Sequence, residues 1–374
     1  MLRSSCGLIL AALACSGRDP AQAQTPTGMV AESLSVQGKM RTLFLRPGFH
    51  VSVFADNLPA VRNLVVGPRG AIYAAMQYGG KVVRLVDANG DGVADSVSDV
   101  ATGLKLPFGI AFRGDTMYVG ETNGVKRYLP GNATPQQIVP SLPSGSGHVT
   151  RTVVFGPDGY LYVAIGSSCN ICEESDRRRA AVVRYKADGS DEHIFSTGLR
   201  NSVGLAFYPG TNDLWATNND RDNLGDDVPP EHLNVLKDGK YYGWPQCWLP
   251  GQRNPEYPDA DCSGVEPPAI TFQAHSAPLG LAFYTGTKFP PDYKGDAFIT
   301  YHGSWNRSVP TGAKVVHVKV QNGKPVSVED FVVGWQFANG DRWGRPVAVV
   351  QAPDGSILIS DDNGGRIWRI TYGR

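Results

Sequence analysis

His148 stands in the loop Gly145-Ser146-Gly147-His148-Val149-Thr150-Arg151, and imidazole is the side chain best suited to take a proton near neutral pH. Leu199-Arg200-Asn201-Ser202 offers a permanent planar cation that grips carboxylates, beside an amide that both donates and accepts. His275-Ser276-Ala277-Pro278 and Arg342-Trp343-Gly344-Arg345-Pro346 are two further polar segments of the same kind. Together they outline one pocket that accepts an anion and moves a proton. Each also has a plainer explanation, because a lone loop histidine more often serves structure and buried arginines cap strand carbonyls.

Two loops are rich in hard oxygen ligands. Asn218-Asn219-Asp220-Arg221-Asp222-Asn223-Leu224-Gly225-Asp226-Asp227 suits Ca²⁺, which takes carboxylate and carbonyl oxygens in flexible geometry. Asp87-Ala88-Asn89-Gly90-Asp91-Gly92-Val93-Ala94-Asp95 matches the first part of a calcium-binding loop, with Asp87, Asn89, Asp91 and Asp95 as ligands. Its twelfth position is Ser98 rather than the bidentate Glu, so an Asx-rich hairpin turn is the stronger alternative here, while a solvated acidic loop explains 218–227 equally. No Gly-x-Ser-x-Gly elbow, P-loop or strand-linked Gly-x-Gly-x-x-Gly occurs, which leaves hydrolase-triad, nucleotidase and Rossmann chemistry without support.

The elements that must position these groups follow from composition and repeats. Gly (44) and Pro (27) are too frequent for a helix bundle and suit many short strands joined by tight turns. Six times the chain runs through an apolar strand, a turn and a second strand. Examples are Val153-Val154-Phe155-Gly156-Pro157-Asp158-Gly159-Tyr160-Leu161-Tyr162 and Val349-Val350-Gln351-Ala352-Pro353-Asp354-Gly355-Ser356-Ile357-Leu358. The others begin at Leu64, Gly109, Gly204 and Gly280. Pro presets one turn dihedral and Gly takes the positive φ that other residues resist. Several copies continue into a basic-apolar strand, such as Lys81-Val82-Val83-Arg84-Leu85, so each unit reads as a blade. The expected fold is all-β, a six-bladed β-propeller spanning 47–374, with long inter-strand loops at 218–278 and 285–346. Binding and catalysis usually sit on such loops.

The remaining features bound the surroundings. Lys+Arg (35) balance Asp+Glu (35), which argues against nucleic acid or an anionic membrane surface as a bulk partner. A basic start, the short apolar run CGLILAALAC at 6–15 and Ala21-Gln22-Ala23 read as a signal peptide at 1–23, with an extension at 24–46. Lipid attachment at Cys15 is the alternative to a free chain. No apolar run is long enough for a membrane helix, so a periplasmic or secreted protein is expected. In that oxidising compartment Cys169/Cys172 and Cys247/Cys262 form two local disulfides by default. Glu173 after Cys172 excludes a CxxCH haem attachment, and no thioredoxin-like pattern surrounds the pair.

From about residue 47 onward these residues resemble the pyrroloquinoline-quinone (PQQ) dependent glucose/sorbosone dehydrogenases. The resemblance is carried by His148 with Phe155-Gly156-Pro157-Asp158-Gly159-Tyr160-Leu161-Tyr162-Val163, by Gly198-Leu199-Arg200-Asn201-Ser202-Val203-Gly204-Leu205-Ala206-Phe207, and by Tyr241-Tyr242-Gly243-Trp244-Pro245. Ala277-Pro278-Leu279-Gly280-Leu281-Ala282-Phe283-Tyr284 extends it, and Cys169/Cys172 with His302-Gly303-Ser304-Trp305-Asn306-Arg307 resembles the sorbosone branch. The resemblance implies a propeller holding PQQ and Ca²⁺ at the top of its axis and oxidising an aldose or sugar aldehyde to a lactone or acid. His148 would take the hydroxyl proton as hydride passes to the quinone. Arg200, Asn201, Arg345, Arg307 and Gln77 would contact the cofactor, Arg200 also acting in catalysis. Backbone carbonyls of Asp220 and Arg221 would stand where glucose-oxidising members have a Gly-Pro pair at calcium. An external quinone or cytochrome would take the electrons. A calcium-dependent lactonase and a non-catalytic sugar- or protein-binding propeller are the readings from other classes.

Overall fold

In the computed structural model, residues 25–373 are described; the signal peptide expected at 1–23, with Cys6 and Cys15, lies outside them. Six blade sheets follow one another around an axis, antiparallel except where Lys240–Tyr241 adds in parallel to the edge of the third. Cys247–Leu249 with Gln252–Arg253 forms a separate hairpin, and among the described residues the only helical pieces are two single 3₁₀ turns. The first blade is Val61–Val66, Ile72–Met76, Lys81–Val86 and Ser96–Ala101. The second, Ile110–Arg113 to Gln136–Val139, and the third, Val153–Phe155 to His193–Thr197, repeat that order of strands. The fourth uses Leu205–Phe207, Leu214–Asn218, Glu231–Leu236 and Ile270–Phe272. The fifth starts at Pro278–Phe283 and ends at Lys324–Val333. The sixth takes its outer strand from the other end of the chain, as Phe49–Ala55 pairs with Arg366–Tyr372 and closes the ring. The all-β, six-bladed expectation is thus what the fold is.

Residues just ahead of the propeller also form strands. Val30–Val36 and Lys39–Leu45 make a hairpin that adds to the outer edge of the fifth blade through Phe44 and Leu45. Leu43, Leu45 and Val36 are buried there against Phe331, Val332 and Trp335.

The second strands of the third to sixth blades, such as Leu161–Ile165, are buried at every position, because each lies between the sheets of two neighbouring blades and both faces are covered. Hence their continuous apolar runs. Around the axis the innermost strands approach closely enough to need glycine. A Cβ on Gly204 would sit 2.3 Å from the Leu279 carbonyl, which accounts for the recurring Gly ahead of Leu-Ala-Phe. Phe108, Val203, Leu279 and Val347 fill the axis. Hydroxyls join successive blades: Thr152 donates to the Val203 carbonyl at 2.5 Å, Thr217 to Leu279 at 2.9 Å and Thr300 to Val347 at 2.7 Å. A bonded, packed axis leaves only the loops free to vary.

Candidate active site

In a four-stranded antiparallel blade the first-to-second and third-to-fourth turns lie at one end, and the remaining connections lie at the other. His148, Arg200 and Arg345 precede first strands, while Gln77, Ser167, Asp220, His302 and Asp362 follow second strands. All therefore gather on one rim. The 87–95 loop joins third and fourth strands of its blade and lies at the opposite end.

His148 is half-buried and held through both its ring and its backbone. Its Nδ1 is 3.1 Å from both the carbonyl and the Oγ of Ser167. A carbonyl can only accept, so Nδ1 carries the hydrogen and Nε2 keeps its lone pair. The His148 carbonyl accepts from Arg151 at 3.0 Å and from Arg179 at 3.4 Å. Burial, with the nearby Arg200, Arg179 and Arg151 charges, pushes the imidazole down to about 3. It therefore stays neutral wherever the protein is folded near neutral pH. In the cofactor-free protein, its ring nitrogens are expected to keep the neutral Nδ1–H signature from pH 8 to about pH 5. A ¹⁵N NMR titration with a midpoint near 6.5 would contradict this.

Gly166 separates His148 from Asn201. A Cβ there would stand 2.6 Å from Asn201 Oδ1 and 2.6 Å from His148 Cβ, so only glycine lets the two side chains meet. Asn201 Oδ1 is buried without a hydrogen-bond partner among the described residues, as is Gln77 Nε2. Orphaned buried polar atoms are costly, and two on one rim mark a place for a ligand.

Arg200 is buried and fully engaged. Nε donates to the Asn170 carbonyl at 3.0 Å, and one terminal nitrogen donates to the Asp220 and Asn219 carbonyls at 2.7 and 3.4 Å. The other reaches Asn170 Oδ1 at 3.0 Å and the Asp222 carboxylate at 2.9 Å. It ties the third and fourth blades together at the rim, and a ligand reaches it by exchanging with these partners or by stacking. Nothing in the sequence marks Asn170 for a role: between Cys169 and Cys172 it reads as the filler of a disulfide loop. It nonetheless accepts from Arg200, from the Asp222 N–H at 2.8 Å and from Trp244 Nε1 at 3.0 Å, and donates to the Asp222 carbonyl at 3.1 Å. The Cys169–Cys172 disulfide, with Cα atoms 6.3 Å apart, closes the loop that presents it. Replacing Asn170 with Ala is expected to cost about 2–4 kcal/mol in denaturant unfolding, from three lost side-chain bonds, one of them to a charged group. A cost below about 0.5 kcal/mol would remove Asn170 from this role.

Across the rim, Arg345 donates Nε to the His302 carbonyl at 3.2 Å, and its terminal nitrogens have no partner among the described residues. Arg62 donates to Asp362 at 2.5 Å, and His302 Nε2 is 3.0 Å from the same carboxylate. The Asp362 carboxyl is held down to about 2 by His302, Arg62 and Arg345 against the effect of its burial. Burial lowers Arg345 and Arg342, and crowding by like charges adds to it. Such a cluster calls for an anion. Sequence reasoning missed Arg62, Asp362 and His302 as a unit, because ring closure brings together residues 300 apart in the chain.

The calcium candidates divide. Asp220 and Glu231 are buried together, Glu231 accepting the Asp220 N–H at 2.8 Å, and burial raises both carboxyls. The Asp220 carbonyl is taken by Arg200, whereas that of Arg221 accepts no hydrogen bond among the described residues. The Arg221 side chain turns away to grip Glu256 at 2.5 and 3.0 Å. Asp226 and Asp227 hold the neighbouring loop instead: Asp226 accepts from the Ser308 N–H at 3.0 Å, and Arg307 pairs with Asp227 at 3.3 Å. Arg307 thus points to that loop and not to Arg345. In the 87–95 loop, Asp87 accepts from Gly90 and Gly92 at 2.7 and 2.8 Å, and Asp95 from Ala88 at 2.6 Å. Asn89 Oδ1 and Asp91 Oδ1 likewise each accept a backbone N–H at 2.8 Å, from Asp91 and Val93. Both disulfides form, Cys247–Cys262 fastening the insertion of the fourth blade.

Known proteins resemble this chain in sequence and in fold. An uncharacterized protein of Borreliella burgdorferi is 29% identical, over 88% of this chain and 91% of its own length. A pyrroloquinoline quinone-dependent sugar dehydrogenase of Hypocrea jecorina is 26% identical, over 86% of this chain and 87% of its own. The holo form of the pyranose dehydrogenase PQQ domain from Coprinopsis cinerea shares the fold with a TM-score of 0.77. That likeness covers 88% of this chain and 97% of that one at 21% identity. Residues 132–369, from the second blade to the last strand, match the glucose / sorbosone dehydrogenase family, and the chain belongs to that family.

Proposed function

We propose that the chain is an exported, PQQ- and Ca²⁺-dependent dehydrogenase that oxidises an aldose or related sugar aldehyde to the lactone or acid. The observation that carries this reading is the rim itself. A neutral His148 with a bare Nε2 lies beside the orphaned Asn201 Oδ1, on the same rim as a cation cluster whose Arg345 has unengaged terminal nitrogens. An orthoquinone bearing three carboxylates fits that donor set, with Arg345 and Arg62 for the carboxylates and Gln77 and Asn201 for neutral polar atoms. When bound, PQQ supplies a hydride acceptor, and Ca²⁺ makes it more electrophilic as a Lewis acid.

The protein residues then have separate tasks. His148 Nε2 receives the proton of the sugar hydroxyl, and Ser167 keeps the other ring nitrogen protonated so that the lone pair faces the substrate. Arg151 and Arg179 fix the backbone of His148. Arg200 holds the 219–222 turn in place and adds positive charge beside His148. The Arg221 carbonyl is the calcium ligand best placed on this rim, and Asp226, Asp227 and Arg307 shape the loop over it.

Purified protein mixed with PQQ and Ca²⁺ is expected to reduce an artificial dye in the presence of aldoses. A chelator should abolish that turnover and added Ca²⁺ restore it. Absence of dye reduction across a panel of aldoses, with or without Ca²⁺, would contradict the reading.

A further inference from the structure

The blades carry a charge pattern at the end opposite the rim. In the third blade Asp158 of the Gly156-Pro157-Asp158-Gly159 turn faces Arg184 of the third strand at 3.9 Å. In the sixth, Asp354 of Ala352-Pro353-Asp354-Gly355 pairs with Arg369. Arg184 and Arg369 are equivalent, since each lies opposite the corresponding second-strand residue, Tyr162 or Leu358. In the first blade Arg84 occupies this place opposite Tyr73, yet the turn reads Gly67-Pro68-Arg69-Gly70. An arginine stands where the repeat has its acid. Arg69 also adopts φ 59°, a left-handed conformation that costs a residue with a Cβ.

The result is two guanidinium groups without a hydrogen-bond or ion-pair partner among the described residues. Both line a cavity of about 290 Å³ between the sixth and first blades. Its walls include Phe54, Leu85 and Leu358, with Arg84 half-buried among them and Arg69 exposed at the mouth. The acids present are already engaged. Asp354 accepts from Ser356 and pairs with Arg369, while both oxygens of Asp87 take loop N–H groups. Along the lining Arg69, Arg84 and Arg369 outnumber Asp87 and Asp354 by one charge, and among the described residues no acid pairs directly with Arg69 or Arg84.

We propose that this cleft is a binding site for a small oxyanion, a phosphate or carboxylate group, held between Arg69 and Arg84. The anion replaces the Asp that the third and sixth blades supply from their own turns. Guanidinium forks bind both oxyanions in bidentate fashion. The site is separate from the rim and does not depend on the redox reading.

The test follows Arg69 and Arg84 Nε–H signals in ¹⁵N-labelled protein during titration with inorganic phosphate and, separately, gluconate. Both signals should move saturably with one dissociation constant, and the tighter probe tells phosphate from carboxylate. Arg84→Gln should weaken binding at least about tenfold. Arg69→Asp restores the repeat, so it should abolish the Arg84 response and raise the unfolding midpoint in anion-free buffer. Phosphate or gluconate, whichever binds, should raise the midpoint of the wild type and not of Arg69→Asp. Signals that stay still with both probes, or unchanged affinity in Arg69→Asp, would overturn the proposal. Arg345→Gln should leave these shifts intact; their loss there would place the anion at the rim and equally overturn it.

Discussion

His148→Ala is expected to lower turnover of the reconstituted enzyme about 10²- to 10⁴-fold, the range for loss of a positioned general base. PQQ affinity should change by no more than about threefold, because the orphaned Asn201 and Gln77 atoms and the Arg345 cation remain. The reason lies in the tautomer. Ser167 fixes hydrogen on Nδ1, which leaves Nε2 as an acceptor that needs no reorganisation when the substrate arrives. His148→Gln is a second check, since an amide of similar reach cannot take a proton and should be about as inactive. Turnover within about tenfold of wild type in either variant would remove His148 from the mechanism.

Arg200→Leu is expected to lose about 3–5 kcal/mol of stability and cofactor binding with it. Arg200 and Asp222 side chains are only 7% and 19% exposed, so truncating the arginine leaves a poorly solvated carboxylate unpaired. It also frees the Asn219 and Asp220 carbonyls and leaves that of Asn170 with Trp244 Nε1 alone. Arg200→Lys should recover part of the loss, because an ammonium still pairs with Asp222 but cannot span five acceptors. Denaturant unfolding measures both. A cost under about 1 kcal/mol for the leucine variant would show the network to be ornamental.

Much of this is legible from residue types and spacing. The apolar strand-turn-strand segments, two of them turning through Pro-Asp-Gly, give the six-unit repeat, and because His148, Arg200 and Arg345 all precede first strands, counting strands places them on one rim. The disulfide pairs follow from local spacing, given the oxidising compartment that the sequence leads one to expect. What escapes depends on contacts that spacing does not encode. The Arg62–Asp362–His302 cluster forms only when the two ends of the chain meet. The occupation of Arg200 by Asn170 depends on how a disulfide loop folds back, and the same four residues could have pointed outward. The 24–46 extension contains two strands because Leu43 and Leu45 find an uncovered edge beside Phe331 and Val332. The 87–95 motif reads identically at either end of a sheet, so only its place between third and fourth strands separates it from the rim.

The central claim is that a sugar delivers its hydride to PQQ held at this rim. The direct measurement is the absorbance of PQQ bound stoichiometrically to the purified protein with Ca²⁺, followed after adding an aldose without any dye. The account predicts tight binding and a sugar-dependent conversion from the oxidised to the reduced spectrum, about 10²-fold or more slower in His148→Ala. PQQ that does not bind, or binds and keeps its oxidised spectrum with every aldose, would contradict it.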